Sequence, residues 1–189
     1  MTKIMKLPPH AKKVFQGIIF SVYQWEQEMY DGTTATFEAL KRTGTIQIIP
    51  TVGDKILLSH EEQPTKPKSF TFLGGRQEPN EDPLVTAKRE LLEETGMESD
   101  DWELLKTYNN EGKIDWEMYL FAAKNCRKVT EPKLDGGEKI DVIPVTWDEF
   151  LEKVSSETFW GKIIANDILR MRLDEKKLVA FKKKVFLSN

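Results

Sequence analysis

Three carboxylates, Glu90, Glu93 and Glu94, stand at positions i, i+3 and i+4 of the segment Arg89-Glu-Leu-Leu-Glu-Glu94. On an α-helix that spacing places all three on one face, within reach of one another. The placement is locally unfavourable. Glu90 and Glu94 repel, and the Thr95-Gly96 that follows marks a helix end whose carbonyls already carry partial negative charge; each effect costs roughly a few tenths of a kcal/mol. Arg89 relieves part of the conflict by pairing with Glu93 or reaching Glu81, and a cation would relieve the rest. Carboxylate oxygens are hard donors and no His or Cys is near, so the ion expected is Mg²⁺ or Mn²⁺ rather than a structural zinc. Gly74-Gly75 lets backbone pass close to the helix, and the Gly75 carbonyl could add another hard oxygen. A merely solvated acidic helix would show the same short string, so the surrounding pattern decides.

The elements that must hold these acids are legible. Asp82 suits a helix N-cap, Pro83 the first helical position and Gly96 the stop, with Leu84, Ala87 and Leu91 spaced to dock the opposite face on a sheet. Before this helix the chain reads as β. A long hairpin is expected from 14 to 42 around Asp31-Gly32, then a second hairpin, TIQIIPTV and KILLSHEE, about Gly53-Asp54, then a strand at 69–73. Strands are expected at about 103–109, 116–123 and 139–146, and helices over 147–154 and most of 157–185. The order implies an α/β (α+β) fold with a mixed sheet, whose long loops at 61–69 and 131–138 suit substrate handling.

Composition sets the outer limits. The chain has 189 residues, with 28 Lys+Arg against 31 Asp+Glu, 39% hydrophobic residues and one cysteine, Cys126. It is too apolar for disorder and has no internal disulfide. A net charge of −3 offers no general footprint for nucleic acid, so phosphate affinity would have to come from bound cations. No apolar stretch reaches the length of a membrane span and no secretory cleavage site follows the basic start, so a cytoplasmic protein is expected.

The full spacing carries a family resemblance. Gly75, Glu81, Arg89, Glu90, Leu91, Glu93, Glu94, Gly96 and Met97 fill every specified position of a pattern that resembles the Nudix box. Seven fixed identities at roughly 5–7% each coincide by chance about once in a billion start positions. The resemblance implies a Nudix-type α/β/α sandwich with a mixed sheet plus an N-terminal β-hairpin extension. It also implies metal-dependent hydrolysis of a nucleoside diphosphate linked to a group X. Within it, Glu90, Glu93 and Glu94 are expected as catalytic metal ligands, Arg89 as their orienter and Glu81 as an indirect contributor.

The segment Gly136-Gly137-Glu138 is similar to a late loop of the ADP-ribose pyrophosphatase branch, which nominates Glu138 as general base with Glu90 in reserve. The run containing Phe37, Glu38 and Arg42 resembles the same branch, whose N-terminal strands often exchange across a homodimer and stack aromatics on the base. Trp25, Tyr30, Phe37 and Arg42 are the matching substrate-binding candidates. The implied division is a dimerising extension, 1–42, and a hydrolase domain, 43–189. The implied substrate is ADP-ribose or a nucleotide sugar, giving a nucleoside monophosphate and phosphorylated X, with neither nucleic acid nor membrane as partner.

The chain departs from the branch in two places: the loop before the box strand, HEEQPTKPKSFTFLGG, has no arginine, and no proline follows the box in LLKTYNNEGKIDWEMY. A nucleotide-pool or capped-RNA hydrolase would use the same box, although the acidic pI of about 5.6 argues against a large RNA. A non-catalytic nucleotide-binding module would be expected to lose box glutamates, and none is lost.

Overall fold

The β-rich first half begins as a meander of three strands, β1 (Lys12–Gln16), β2 (Ser21–Glu28) and β3 (Thr34–Lys41). The computed structural model describes residues 6–109, 112–134 and 136–186. The single long hairpin expected from 14 to 42 is thus divided: the chain already turns at 17–20, where the Gly17 N–H donates to the Phe20 carbonyl at 2.8 Å. The main sheet uses β4 (Thr45–Val52), β5 (Lys55–Gln63) and β6 (Lys66–Thr71). A short ribbon strand, β7 (Met97–Glu98), precedes β8 (Asp101–Asn109), and β9 (Ile114–Asp115) precedes β10 (Glu117–Lys124). Then come β11 (Arg127–Lys128), which pairs with β7, and β12 (Lys139–Val145).

The main sheet runs β12-β5-β4-β10-β8, with β6 also on β5. Only the β4–β10 pair in it is parallel, so the sheet is mixed, as expected. β9 adds to β3 in parallel through Leu40 and Lys41, so the N-terminal meander shares its sheet with a segment from within the main unit. The loop expected at 61–69 is instead a tight hairpin, because Glu61 pairs with Ser69 and Gln63 with Lys66 across Pro64-Thr65.

One irregularity in the sheet makes room for a site. β4 and β5 pair only beside their turn, at Thr51↔Ile56 and Val52↔Lys55. Beyond that they part, and the chain leaving β6 enters the gap through bridges from Leu73 to Ile48 and Arg76 to Thr45. Gly74 and Gly75 therefore lie where the sheet splays.

The helix that faces this gap, α1 (Pro83–Thr95), has the ends the sequence specified. The Asp82 side chain accepts from the Leu84 and Val85 N–H groups, and Gly96 closes the helix at φ 65° with its N–H on the Leu92 carbonyl. Period-two alternation then separates two cores. Ile46, Ile48, Leu57, Leu73 and Phe121 face α1 through Ala87 and Leu91. Ile49, Ile56, Leu58, Phe72 and Leu120 face the later helices α2 (Trp147–Ser155), α3 (Lys162–Met171) and α4 (Glu175–Phe186). Helices thus cover both faces of a mixed sheet. The helical stretch expected over 157–185 breaks at 172–174, where the Asp174 side chain accepts from the Lys177 N–H and starts α4. Among the described residues no helix is long and apolar enough to cross a membrane.

Candidate active site

Fully buried Ala87 and Leu91 fix the roll of α1, and that roll turns Glu90 and Glu94 toward Gly74-Gly75. Their neighbour Arg89 is the hub of the network. Its Nη1 donates to Glu90 Oε1 at 2.8 Å and to Glu93 Oε2 at 3.0 Å. Its Nε and Nη2 donate to the two Glu81 oxygens at 3.2 Å each, and Nη2 also reaches the Arg76 carbonyl at 3.3 Å. Both pairings anticipated for Arg89 are therefore present together, with Glu90 added. Glu81 is itself held by the Thr86 hydroxyl and the Glu78 N–H. The hydrogen bonds from Arg89 bring its carboxyl down to about 2, and those same bonds push the guanidinium above its usual value.

The three carboxylates share a helix face but not an environment. Glu93 is the most open, Glu90 is largely buried, and Glu94 is only 6% exposed. Glu94 Oε2 accepts from the Gly74 N–H at 2.7 Å. Burial still raises its carboxyl well above the ordinary range, and Glu90, Glu138 and Glu61 push it further. Burial likewise lifts Glu90 to about 7 against the pull of Arg89. Among the described residues no three acidic, His or Cys side chains already form a cage. Arg89 and the Gly74 N–H occupy oxygens that the spacing alone left to a cation.

The chemistry of the set fits a divalent ion nonetheless. Buried carboxyls whose negative charge is destabilised by burial and by each other are completed as anions by a hard cation, which inverts the local pKa order. Gly75, expected to offer a further oxygen to the ion, lies against the Glu90 carboxylate. Its carbonyl accepts from the Ile46 N–H at 2.9 Å and is turned into the sheet, because the strand leaving β6 must pair with β4. What Gly75 contributes is clearance, since a Cβ there would lie 2.6 Å from the Glu90 carboxyl.

A cavity of about 460 Å³ opens above these residues. Glu90, Glu93, Glu94 and Glu138 line it, together with Arg42, Arg76, Arg89 and Lys133. Acids that can hold metal thus face bases that can hold phosphate. The structure brings Glu138 of the late loop and Arg42 of the N-terminal segment to the box, from opposite ends of the chain; Asp135, in the same loop, lies outside the described residues. Arg42 is fixed by a 3.1 Å bond to Thr45 Oγ1 and lies 4.9 Å from the centre of the Trp116 ring, and burial beside Arg76 lowers its pKa. Arg42 and Arg76 also line a second lobe of about 460 Å³ inside the splayed sheet and a third of about 420 Å³ against the meander.

Trp25 and Phe37 are not brought to these cavities. They face each other across β2 and β3 with ring centres 5.9 Å apart, while Tyr30 is fully exposed at the next turn. Among the lining residues that escaped the sequence reading are Arg76, Lys133, Trp116 and Trp160. Arg76 had a signal, as the basic residue directly after Gly75. Lys133 had none, because its place follows from a bond between its N–H and the Glu93 carbonyl at the helix end.

Comparison with known proteins agrees with this geometry. "Methanol dehydrogenase activator" of Bacillus methanolicus is 27% identical over 168 residues, covering 86% of this chain and 91% of that protein. "ADP-ribose pyrophosphatase" of Bacillus subtilis (strain 168) is 26% identical over 168 residues, covering 87% and 91%. Among solved structures, one described as "Crystal structure of ADP compounds hydrolase" superposes with a TM-score of 0.71 at 20% identity, covering 90% of this chain and 95% of that one. A NUDIX hydrolase from Nitrosomonas europaea superposes at 0.51 with 23% identity, covering 60% and 78%. The profile described as NUDIX domain matches residues 41–160, which hold the box, the splayed sheet and the late loop. With more than half its length matched, the chain belongs to the NUDIX family and is a Nudix hydrolase.

Proposed function

We propose that this Nudix hydrolase cleaves the pyrophosphate of a nucleoside diphosphate linked to X, with ADP-ribose or a nucleotide sugar as substrate and Mg²⁺ or Mn²⁺ as its ion. The observation that carries this reading is the convergence of five glutamates and four basic residues on one cavity. A pyrophosphate needs both signs: cations along its oxygens, and carboxylates to hold the ions that neutralise the reacting phosphorus. The name of the Bacillus subtilis relative points to ADP-ribose among such substrates.

Glu90, Glu93 and Glu94 would hold the metal, which when bound supplies charge neutralisation and an acidified water. Arg89 keeps Glu90 and Glu93 oriented from its anchor on Glu81. Arg42, Arg76 and Lys133 bind the phosphate oxygens. Glu138 is assigned as the base that takes the proton of the attacking water. The water's hydroxyl bonds to one phosphorus, the bridging P–O bond breaks, and the proton ends on the leaving phosphate. The products are a nucleoside monophosphate and a phosphorylated X.

Residues 1–42 are assigned to dimerisation and 43–189 to catalysis. Val14, Phe15 and Ile18 are exposed together on and beside β1, Ile18 by 96%, and a second copy of the chain is the occupant proposed for them. A hydrolysis panel with Mg²⁺ tests the activity, spanning ADP-ribose, nucleotide sugars, dinucleoside polyphosphates, nucleoside triphosphates and capped RNA. Turnover of ADP-ribose or a nucleotide sugar above the other classes is expected. Preference for triphosphates or capped RNA, or no turnover at all, would overturn the reading.

A further inference from the structure

The third lobe, against the meander, carries the opposite charge balance to the box cavity it adjoins. The box cavity sets five carboxylates against its four cations. In the third lobe Lys13, Lys41, Arg42 and Arg76 face one carboxylate among the described residues, Glu78, which stands 3.9 Å from Arg76. Lys41 pairs at 3.6 Å with Asp115, which is not part of the lobe's wall, and Lys13 donates to the uncharged Gln16. The hydroxyls of Ser21, Tyr23 and Thr43 line the same wall. The four cations come from β1, from the end of β3 and beyond it, and from the residue after Gly75, so it is folding that gathers them. Arg42 registers the crowding, since burial and then the neighbouring Arg76 charge lower its pKa. Like charges gathered around a hollow are stabilised by an anion placed in it.

We propose that the third lobe is a phosphomonoester site, where Lys13 and Lys41 hold a further phosphate that the substrate carries outside its pyrophosphate. The lobe and the box cavity share Ile19, Arg42, Arg76 and Glu78, so one molecule can occupy both. Glu90, Glu93 and Glu94 line the box cavity and not the lobe, so a phosphate there is met directly by ammonium and guanidinium groups. A dianionic phosphomonoester offers oxygens to cations on both sides, whereas an uncharged sugar or base would leave the lysines unmatched. The substrate class is thereby narrowed to a nucleoside diphosphate linked to X that bears an additional phosphate, on the nucleoside or on X. The assignment rests on the pyrophosphate reading of the box.

The test measures calorimetric affinities on the full chain with Mg²⁺. AMP is compared with adenosine 2′,5′-bisphosphate and 3′,5′-bisphosphate for a phosphate on the nucleoside, and ribose 5-phosphate with ribose 1,5-bisphosphate for a phosphate on X. In the wild type at least one bisphosphate is expected to bind about 10-fold tighter than its parent, the combined effect of two exposed charge pairs. The double variant Lys13→Gln/Lys41→Gln should reduce that gain to about 2-fold or less, with the parent monophosphate unchanged. Lys13→Gln alone, which leaves the Lys41 pair with Asp115 in place, should lose part of the gain, and Lys13→Arg should keep it. No gain for any bisphosphate, a gain that survives the double variant, or equal weakening of parent and bisphosphate would overturn the assignment. Inorganic phosphate that binds through the two lysines while no bisphosphate gains would make the lobe a site for a separate anion, and would overturn it too. A failed hydrolysis panel alongside the expected gain would refute the pyrophosphate reading alone; turnover of ADP-ribose or a nucleotide sugar without the gain would refute the phosphomonoester site alone.

Discussion

Glu94 and Glu138 reach the same cavity by different routes, and each makes its own prediction. Glu94 is buried and bonded to the Gly74 N–H. Glutamine keeps an oxygen for that bond but cannot supply a negative charge to a metal. Glu94→Gln is therefore expected to keep its circular dichroism spectrum and lose at least about 10²-fold in turnover; near-normal turnover would remove Glu94 from the metal assignment. Glu138 lies close enough to Glu90 and Glu94 to raise both their pKa values. With Glu138→Gln, kcat should fall by about 10²–10⁴-fold while KM changes little, as befits a proton acceptor. An unchanged kcat would move the base to Glu90. At Gly75 the local reading of close approach to the carboxylates is matched by the structure, while the bond of its carbonyl to the β4 strand is a pairing that no local pattern contains.

At the scale of elements, the loop before α1 is fastened to the helix by Glu81 and Arg89. Glu81 has its carboxyl held near 2 by Arg89, below the 4.5 of an unconstrained glutamate. Because the folded value is the lower one, the bond's contribution is complete above about pH 4.5 and fades as pH falls toward 2. Urea unfolding of Glu81→Gln should show a deficit of about 1–2 kcal/mol near neutral pH, reduced for partial exposure, that shrinks on acidification below about pH 4. A deficit independent of pH would mean the loop is held by something other than this ion pair. The helix itself was readable because Asp82, Pro83 and Gly96 act through neighbours one to four residues away. The hairpin at 63–66 was not, because its strands Lys55–Gln63 and Lys66–Thr71 are polar at their joined ends and are ordered by cross-strand pairing rather than by composition.

For the whole molecule, the meander poses the remaining question of assembly. Large exposed apolar patches mark interaction surfaces in soluble proteins, and among the described residues Val14, Phe15 and Ile18 are each more than half exposed. Placing Asp at both Val14 and Ile18 should convert a dimer to a monomer by size-exclusion chromatography with light scattering. A wild type that is already monomeric, or a variant that remains dimeric, would refute the role of this surface.

The sequence by itself determined the helix, its ends, its acids and the family, since all of these depend on residue types at fixed short separations. It also held enough alternation to imply a mixed sheet with helices on both faces. Only the tertiary structure decided that Glu90, Glu93 and Glu94 occupy three environments, that Arg42 and Glu138 meet at the box, and that Trp116 and Trp160 share a lobe while Trp25 and Phe37 do not. The physical reason is the splay of β4 from β5: it is set by which strand fills the gap, a pairing between residues far apart in the chain, and it decides which side chains face one another across the opening.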